Sequence, residues 1–481
     1  ILLLVASHLQ FIDGSLAKYS TVNRSWNSVI EALTFRALRS ESLDHLQQIP
    51  GHMNSDRRAA LHGIDIIIQL PEYGKDRWYE FESEHEKDTN NIVFSDSLGE
   101  VFHILNSWQE YKGDHTQLTL AIQAISKSDS WHLGKIDRIR RRGRAASGEA
   151  DVRLEASYLH LQGELPPLLT VSDSSFRGAL HVRQLPGNPS RPCCPRLLSG
   201  ETITRITKAC TRVRDVAAEL SDKESKNLVL RKAERSAFAK SLIDLPESVT
   251  RLKLGYPGVV PANQFFNPPA IPFLDGKDAL SMSLSRISRR LGCFEVHAVL
   301  SDDIFDMSES PSWPRLRKLH IGFDSCTPHG EWLLELDPED SEVEREQNEI
   351  RPSEMPARIH YPEISFRTAV NRDILDDLYL AAARAVARLP NLRDLQLTVG
   401  DEDSGCVCRL PSNGRCTHRL VWISKSQTTY EPHPDVMKAW KAVFASESSM
   451  CRFSVTSTIQ CLRSRRTATE NTTFTGRITT M

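Results

Sequence analysis

The sequence predicts a mixed α/β fold: a short helical opening, then a long body in which helices and short strands alternate and stack. Three observations carry this. Residues 1–35 place apolar side chains at helical spacing in three short runs. The body repeats one strand signature, apolar-x-x-apolar-x-apolar, downstream of amphipathic helical stretches. The 481 residues are 40% hydrophobic and 25% charged, an ordinary globular balance that supports a sizeable core.

In the opening, Leu3, Leu4, Val5 and Leu9 recur at helical spacing, and the run Phe11–Gly14 ends that piece. Leu16, Ala17 and Tyr19 form a second piece. Val22, Trp26, Val29, Ile30 and Leu33 then sit three or four apart on one face, with Asn23, Arg24, Ser25, Asn27 and Ser28 opposite. In order and spacing these landmarks resemble an F-box. The matching pieces are ILLLVASHL, SLAKYSTVNRSW and VIEALTF, with Leu16, Val22, Arg24, Trp26 and Phe35 at the family's Leu, Val, Arg-x-Trp and terminal aromatic positions. The chain opens on Ile1 and lacks the family's usual Leu-Pro start, so residues 1–40 are expected to be an N-terminally truncated F-box-like segment. The pieces DGSLAKYSTVNRSW, RRAALHGIDIIIQLPEY, NNIVFSDSLGEVFHILNSW and TYEPHPDVMKAW also resemble large fungal F-box proteins of unknown targets.

The body, residues 41–456, carries the strand signature at Leu61-Ile64-Ile66, Val213-Val216-Ala218, Val249-Leu252-Leu254, Leu291-Phe294-Val296, Leu316-Leu319-Ile321, Leu392-Leu395-Leu397 and Met450-Phe453-Val455. Leu118 with Leu120, and Leu159 with Leu161, are weaker members. Helical faces precede several of them: Leu98, Val101, Phe102, Leu105 and Trp108; Leu280, Leu284, Ile287 and Leu291; Leu378, Ala382, Ala385 and Leu389, with Asn371 or Asp373 as the cap. The Pro-containing joints Leu389–Leu392 and Trp313–Leu316 release the chain into the next strand. One such unit cannot bury its own apolar face, but a stack of units can. The body is therefore read as an irregular leucine-rich-repeat-like solenoid. An ordinary irregular α/β domain is the alternative, because only the step from residue 294 to 319 matches a regular repeat length.

Loops are expected at 135–150, rich in Arg, and at 184–200, rich in Pro and Arg. A solvated acidic insertion is expected at 334–356, and a disordered Thr- and Arg-rich tail at 457–481. The ten cysteines read mainly as reduced thiols of a cytoplasmic or nuclear protein. The apolar opening of Ile1–Ala6 is far short of the roughly 20 residues a membrane span needs, so no membrane partner is expected.

Few motifs carry chemistry. Cys406, Cys408, Cys416 and His418 have zinc-ligand types at an unusual spacing, and a loop of reduced cysteines is the preferred reading. The basic run Arg138–Arg144 suggests a solvated loop or an import signal. With a net charge of −2, nucleic-acid binding is not expected. No phosphate-cradling glycine loop, nucleophile elbow or His-Glu-x-x-His helix is present, and His320, His329 and His360 lack a matching Ser or Cys landmark. Trp108 reads as core, and so do most of Trp313, Trp332 and Trp440, whereas Trp422, in the run Leu420–Ile423, is divided between core and a binding surface.

The resemblance implies a non-catalytic substrate-recognition adaptor with no cofactor and no metal. It would dock onto a Skp-type adaptor, and so onto a cullin–RING ubiquitin ligase, and present an unknown protein target. The expected adaptor-binding set is Leu3, Leu4, Leu9, Leu16, Val22, Trp26 and Ile30, some of which must instead hold the helices together. The alternative is an interaction scaffold whose F-box-like segment only caps the stack.

Overall fold

Leu252, Phe294, Leu319 and Leu395, the residues marked by sequence as centres of successive strands, are register partners in the computed structural model. The residues described are 2–13, 16–77, 80–108, 118–129, 157–169, 171–177, 196–222, 227–258, 267–271, 276–306, 313–336, 367–400, 406–410, 420–424, 432–445 and 455–459. They fall into two compact units, residues 1–221 with 244–249, and residues 222–243 with 250–481.

The first unit begins with three short helical pieces, as expected: α1 (Leu2–Asp13), a 3-10 turn (Ala17–Tyr19) and α2 (Arg24–Thr34). Next come β1 (Ala37–Ser40), α3 (Leu43–Gln48), α4 (Ser55–Ala60), β2 (Gly63–Leu70), α5 (Glu84–Ser107) and β3 (Leu118–Ser126). The short β4 (Tyr158–Leu159), β5 (Val171–Arg177), the short β6 (Leu197–Leu198), α6 (Gly200–Ala209) and β7 (Asp215–Glu219) complete it. Strands β1, β2, β3, β5 and β7 lie side by side in that order, each parallel to the next.

Helix α5 starts at a capping box: Ser83 accepts the Glu86 N–H while the Glu86 carboxylate accepts the Ser83 N–H. Its apolar face of Phe94, Leu98, Val101, Phe102 and Leu105 is fully buried, and Trp108 just beyond it is 6% exposed. Polar residues of the same helix face serve a second purpose. Asn91 Oδ1 and Ser95 Oγ accept the N–H groups of His160 and Gln162 at 2.8 and 2.7 Å, so the non-helical segment beside them keeps its backbone hydrogen-bonded.

The second unit holds α7 (Leu228–Ser241), β8 (Arg251–Tyr256), α8 (Ala279–Ser288), β9 (Cys293–Ala298) and β10 (Lys318–Phe323). After these come β11 (Leu334–Leu336), β12 (Arg367–Val370), α9 (Arg372–Val386), β13 (Asp394–Val399), β14 (Cys406–Leu410), β15 (Leu420–Ser424), α10 (Pro434–Ala445) and β16 (Val455–Ile459). Strands β8, β9, β10 and β13 are parallel neighbours in chain order. Strands β14 and β15 add antiparallel, and β16 adds parallel to β15.

These parallel strands begin alike. Two successive N–H groups share one carbonyl at the start of the preceding strand, which its two lone pairs allow. Gly292 and Cys293 share Thr250 O at 2.8 and 3.2 Å, Arg317 and Lys318 share Gly292 O at 2.9 and 3.3 Å, and Arg393 and Asp394 share Arg317 O at 2.8 and 3.1 Å. In the first unit His62 and Gly63 share Arg36 O in the same way. The first apolar position of the signature closes a tight turn before the strand: Val213 N to Cys210 O, Val249 N to Pro246 O, Leu291 N to Ser288 O and Leu392 N to Leu389 O.

Strand side chains alternate, with the glycine at 322 the one outward position that is buried among β8, β9, β10 and β13. Leu252, Leu254 and Tyr256, Phe294, Val296 and Ala298, Leu319, Ile321 and Phe323, and Leu395, Leu397 and Val399 are all buried. Helices cover this face. Phe238 of α7 meets Tyr256 edge-on at 5.7 Å, and Phe305 of a 3-10 turn (Asp302–Phe305) meets Phe323 at 6.4 Å. Helix α7 packs on α8, α8 on that turn, the turn on α9, and α9 on α10, so the helix layer follows the order of the strands.

The structure differs from the sequence reading in four places. The stretch expected as a loop at 184–200 contributes packed residues from Arg196 onward. Arg196 is 2% exposed because two carboxylates neutralise it. The acidic insertion starts no earlier than residue 337. Residues Leu334–Leu336 form β11, which pairs antiparallel with β12, and residues 337–356 lie outside the described residues. Val22 precedes the Asn23 cap, so it is off the α2 face on which spacing placed it. The disordered tail expected from 457 begins later than that: residues 457–459 belong to β16, which pairs parallel with β15, and the loop at 135–150, Met450, Phe453 and residues 460–481 lie outside the described residues. Asn371, one of the two caps the sequence offers for α9, is the one used, as expected: its Oδ1 accepts the Ile374 N–H.

Candidate interaction surfaces

In the first unit the helical opening divides its apolar residues between an interior and an outer surface. Ala6, Leu16 and Ile30 are buried, and Leu9 and Trp26 are half-buried. Asn23 Oδ1 accepts the Trp26 N–H at 2.9 Å, fixing the first turn of α2, and the Trp26 ring lies 6.3 Å from that of Tyr19. Arg57 of α4 anchors the far end of α2. Its guanidinium reaches Glu31 at 2.7 Å and covers the Phe35 ring at 4.6 Å. The hydrogen bond from Arg57 holds the Glu31 carboxyl below the usual carboxylate range.

Leu3, Leu4 and Val22 face outward, at 53, 74 and 58% exposure. Leu2 and Val5 are exposed beside them on α1, so four consecutive large apolar side chains sweep most of that helix's circumference. A run of this kind marks an interaction surface more often than a free one. Of the seven residues expected to dock a partner, Leu3, Leu4 and Val22 are thus available, Leu9 and Trp26 are partly so, and Leu16 and Ile30 hold the helices together.

In the second unit the strand face opposite the helices is polar. Register rows run across it: Arg251, Cys293, Lys318 and Asp394; then Lys253, Glu295, His320 and Gln396; then Gly255, His297, Gly322 and Thr398. Charges pair between rows and strands. Lys318 Nζ lies 2.6 Å from Glu295, and His320 Nε2 lies 3.0 Å from Asp394. His297 Nε2 lies 3.2 Å from Asp324, whose other oxygen accepts the Gly258 N–H at 2.7 Å. Glycine at 322 makes the His297 contact possible. A Cβ there would meet the imidazole at 2.8 Å and Thr398 Oγ1 at 3.1 Å.

The hydrogen bond to Asp324 raises the His297 pKa above its ordinary value, against the effect of burial. The pair therefore stabilises fully below about pH 6.5, and its contribution is lost as pH rises through the folded pKa. NMR titration should place His297 above an ordinary histidine, and Asp324→Asn should bring it down. A titration unmoved by that substitution would show that Asp324 is not the cause.

Neither His297 nor Asp324 stands out in the sequence, and the arginines of this face do not either. Their only sequence signal is that they occupy or flank the polar positions of the strand signature. Burial pushes the thiols of Cys210 and Cys326 up to about 12, which keeps both protonated at neutral pH. Cys406 and Cys408 lie on β14, whereas Cys416 and His418 lie outside the described residues. Among the described residues no group of three His, Cys, Asp or Glu is placed to hold a metal. His320 pairs with Asp394, His329 is exposed, and His360 lies outside the described residues. Trp313, Trp332 and Trp440 are buried. No helix among the described residues is long and apolar enough to cross a membrane.

Residues 364–475 match a family of unknown function (DUF6546). That stretch includes β12 to β16. No curated protein and no solved structure matches the chain.

Proposed function

We propose that the chain is a substrate-recognition adaptor of a Skp–cullin–F-box type ubiquitin ligase, in which residues 1–40 form the F-box-like handle and the body presents a target. The observation that carries this reading is the exposed apolar run on α1, with Val22, on a helical segment whose landmarks resemble an F-box. The body reads as a leucine-rich-repeat-like solenoid. Parallel strands in chain order, a repeated strand start and helices on one side support that reading. The other side leaves a polar sheet face for a target protein. The mechanism is positional: holding a target near a charged ubiquitin-conjugating enzyme raises the effective concentration of its lysines, and this chain supplies no catalytic group.

The test is co-purification of the full chain with a Skp-type adaptor. Leu4→Asp and Val22→Asp place charge on exposed positions, so they report docking rather than folding. Leu16→Asp would bury a charge and unfold the segment instead. Capture by the parent chain and a loss of about tenfold or more in the two exposed variants is the expected result. No capture by the parent chain would leave the scaffold reading, with the helical segment as a cap.

A further inference from the structure

At the start of β8, β9 and β10 the polar face opens into a shallow groove of about 660 Å³. Five cationic side chains line it, Arg251, Arg290, Arg315, Arg317 and Lys318, against one carboxylate, Glu295. Glu295 and Lys318 neutralise one another at 2.6 Å, so among the lining residues the excess of cations over carboxylates is four. Arg315 and Arg317 are exposed. Their backbone is nevertheless fixed. Arg317 donates to Gly292 O and accepts from Arg393 and Asp394. The loop before it is held by Trp313, whose buried indole donates to Ser288 Oγ at 2.6 Å, and by Asn391, which donates to Pro314 O at 2.7 Å. A fixed backbone removes part of the ordering cost of binding, and the arginine side chains themselves still give up rotamer freedom.

The spacing says what they fit. Arg251 and Lys318 occupy one register row two strands apart, on the order of 10 Å at the usual strand separation. Charges strung out in this way match successive acids on an extended peptide, whereas a single phosphate needs donors converging on one point. Among the described residues no aromatic side chain lines the groove, so these residues offer no platform on which nucleobases stack.

We infer that this groove binds a carboxylate-rich segment of the target protein, with Arg315 and Arg317 as its principal contacts. The biological meaning of the inference rests on the target-receptor reading, but the binding itself is measured without any ligase component. Failure here leaves adaptor capture standing, and failure of adaptor capture leaves this binding standing.

The test is fluorescence anisotropy of the full chain with a labelled Glu/Ser peptide, its Gln/Ser counterpart, a phosphoserine peptide without Glu, and an oligouridine. The Glu/Ser peptide should bind, weaken as salt is raised, and bind at least about tenfold more weakly to Arg315→Glu/Arg317→Glu. The double variant Arg315→Gln/Arg317→Gln, which adds no repulsion, should also bind more weakly. Unchanged circular dichroism and melting would show that both variants fold. Equal binding of the Glu and Gln peptides, undiminished binding by both folded variants, or retention of only the phosphopeptide or only the oligonucleotide would overturn the inference.

Discussion

Replacing Arg235 with alanine should destabilise the second unit by about 3–5 kcal/mol, the range for breaking a buried ion-pair cluster from one side. The Arg235 side chain is 3% exposed and carries four contacts: Asp278 at 2.8 and 3.4 Å, Asp222 at 3.3 Å, and Val299 O at 2.5 Å. Asp222 would keep Arg231, 2.7 Å away. Among the described residues Asp278 would keep only the N–H and hydroxyl of Ser281, at 3.0 and 2.6 Å, as near partners of its carboxylate. Its charge would then be buried without a counter-ion.

The pH dependence tests the cause. Burial alone pushes the Asp278 carboxyl up, but the Arg235 guanidinium and the Ser281 hydrogen bonds outweigh it and hold it below the ordinary range. In the parent chain this stabilisation is present above the unfolded carboxylate pKa and is lost as pH falls through the folded value. Without Arg235 the sign reverses. Burial then favours the protonated acid, so the deficit of the variant should shrink on mild acidification. Urea unfolding at neutral and acid pH, with amide exchange in β8–β10 as the local readout, measures both. A deficit that is small, or unchanged by acid, would rule out an unpaired Asp278 as its origin.

The second large effect belongs to the first unit. Arg196→Ala should also cost about 3–5 kcal/mol. Its guanidinium grips Asp129 through two nitrogens at 2.9 and 3.0 Å and Glu82 through the third at 2.7 Å, with all three side chains at 3% exposure or less. The carboxylates are themselves organisers. Asp129 accepts the Tyr73 hydroxyl at 2.7 Å and the Ser126 N–H at 3.0 Å, and Glu82 accepts the Asn90 amide at 3.0 Å. Losing the cation therefore strains the turn after β3 and the start of α5 as well. The exposed Arg77–Glu80 pair is the control, because solvent screens it and Arg77→Ala should leave stability nearly unchanged. Equal melting of Arg196→Ala and Arg77→Ala would show that the buried cluster contributes nothing special.

These arginines also mark where sequence stops being informative. The strand centres were legible because their signature is local: two apolar residues in alternation after a turn, repeated at Leu252, Phe294, Leu319 and Leu395. The helix faces were legible for the same reason. Arg196 was not. It sits in a stretch whose composition reads as loop, and its partner Glu82 is 114 residues away. Composition cannot place a charge whose counter-ion is brought to it only by folding. The polar face fell between these cases. Its residues occupy recognisable outward positions, but which of them meet depends on which strands are neighbours. The pairing of His297 with Asp324 across Gly322 was therefore invisible until the register was known. Exposure in the helical opening was equally beyond spacing, which gave Leu4 and Leu16 the same character although one is bare and the other enclosed.

Alternation along β8, β9, β10 and β13 assigns every second residue to the interior and, Gly322 apart, leaves the others outside it. Lys253, His320 and Gln396 can therefore change without disturbing the packing of Leu254, Ile321 or Leu397 beneath them. A surface decoupled from its support in this way can be rewritten by point substitution while the folding of the chain stays intact.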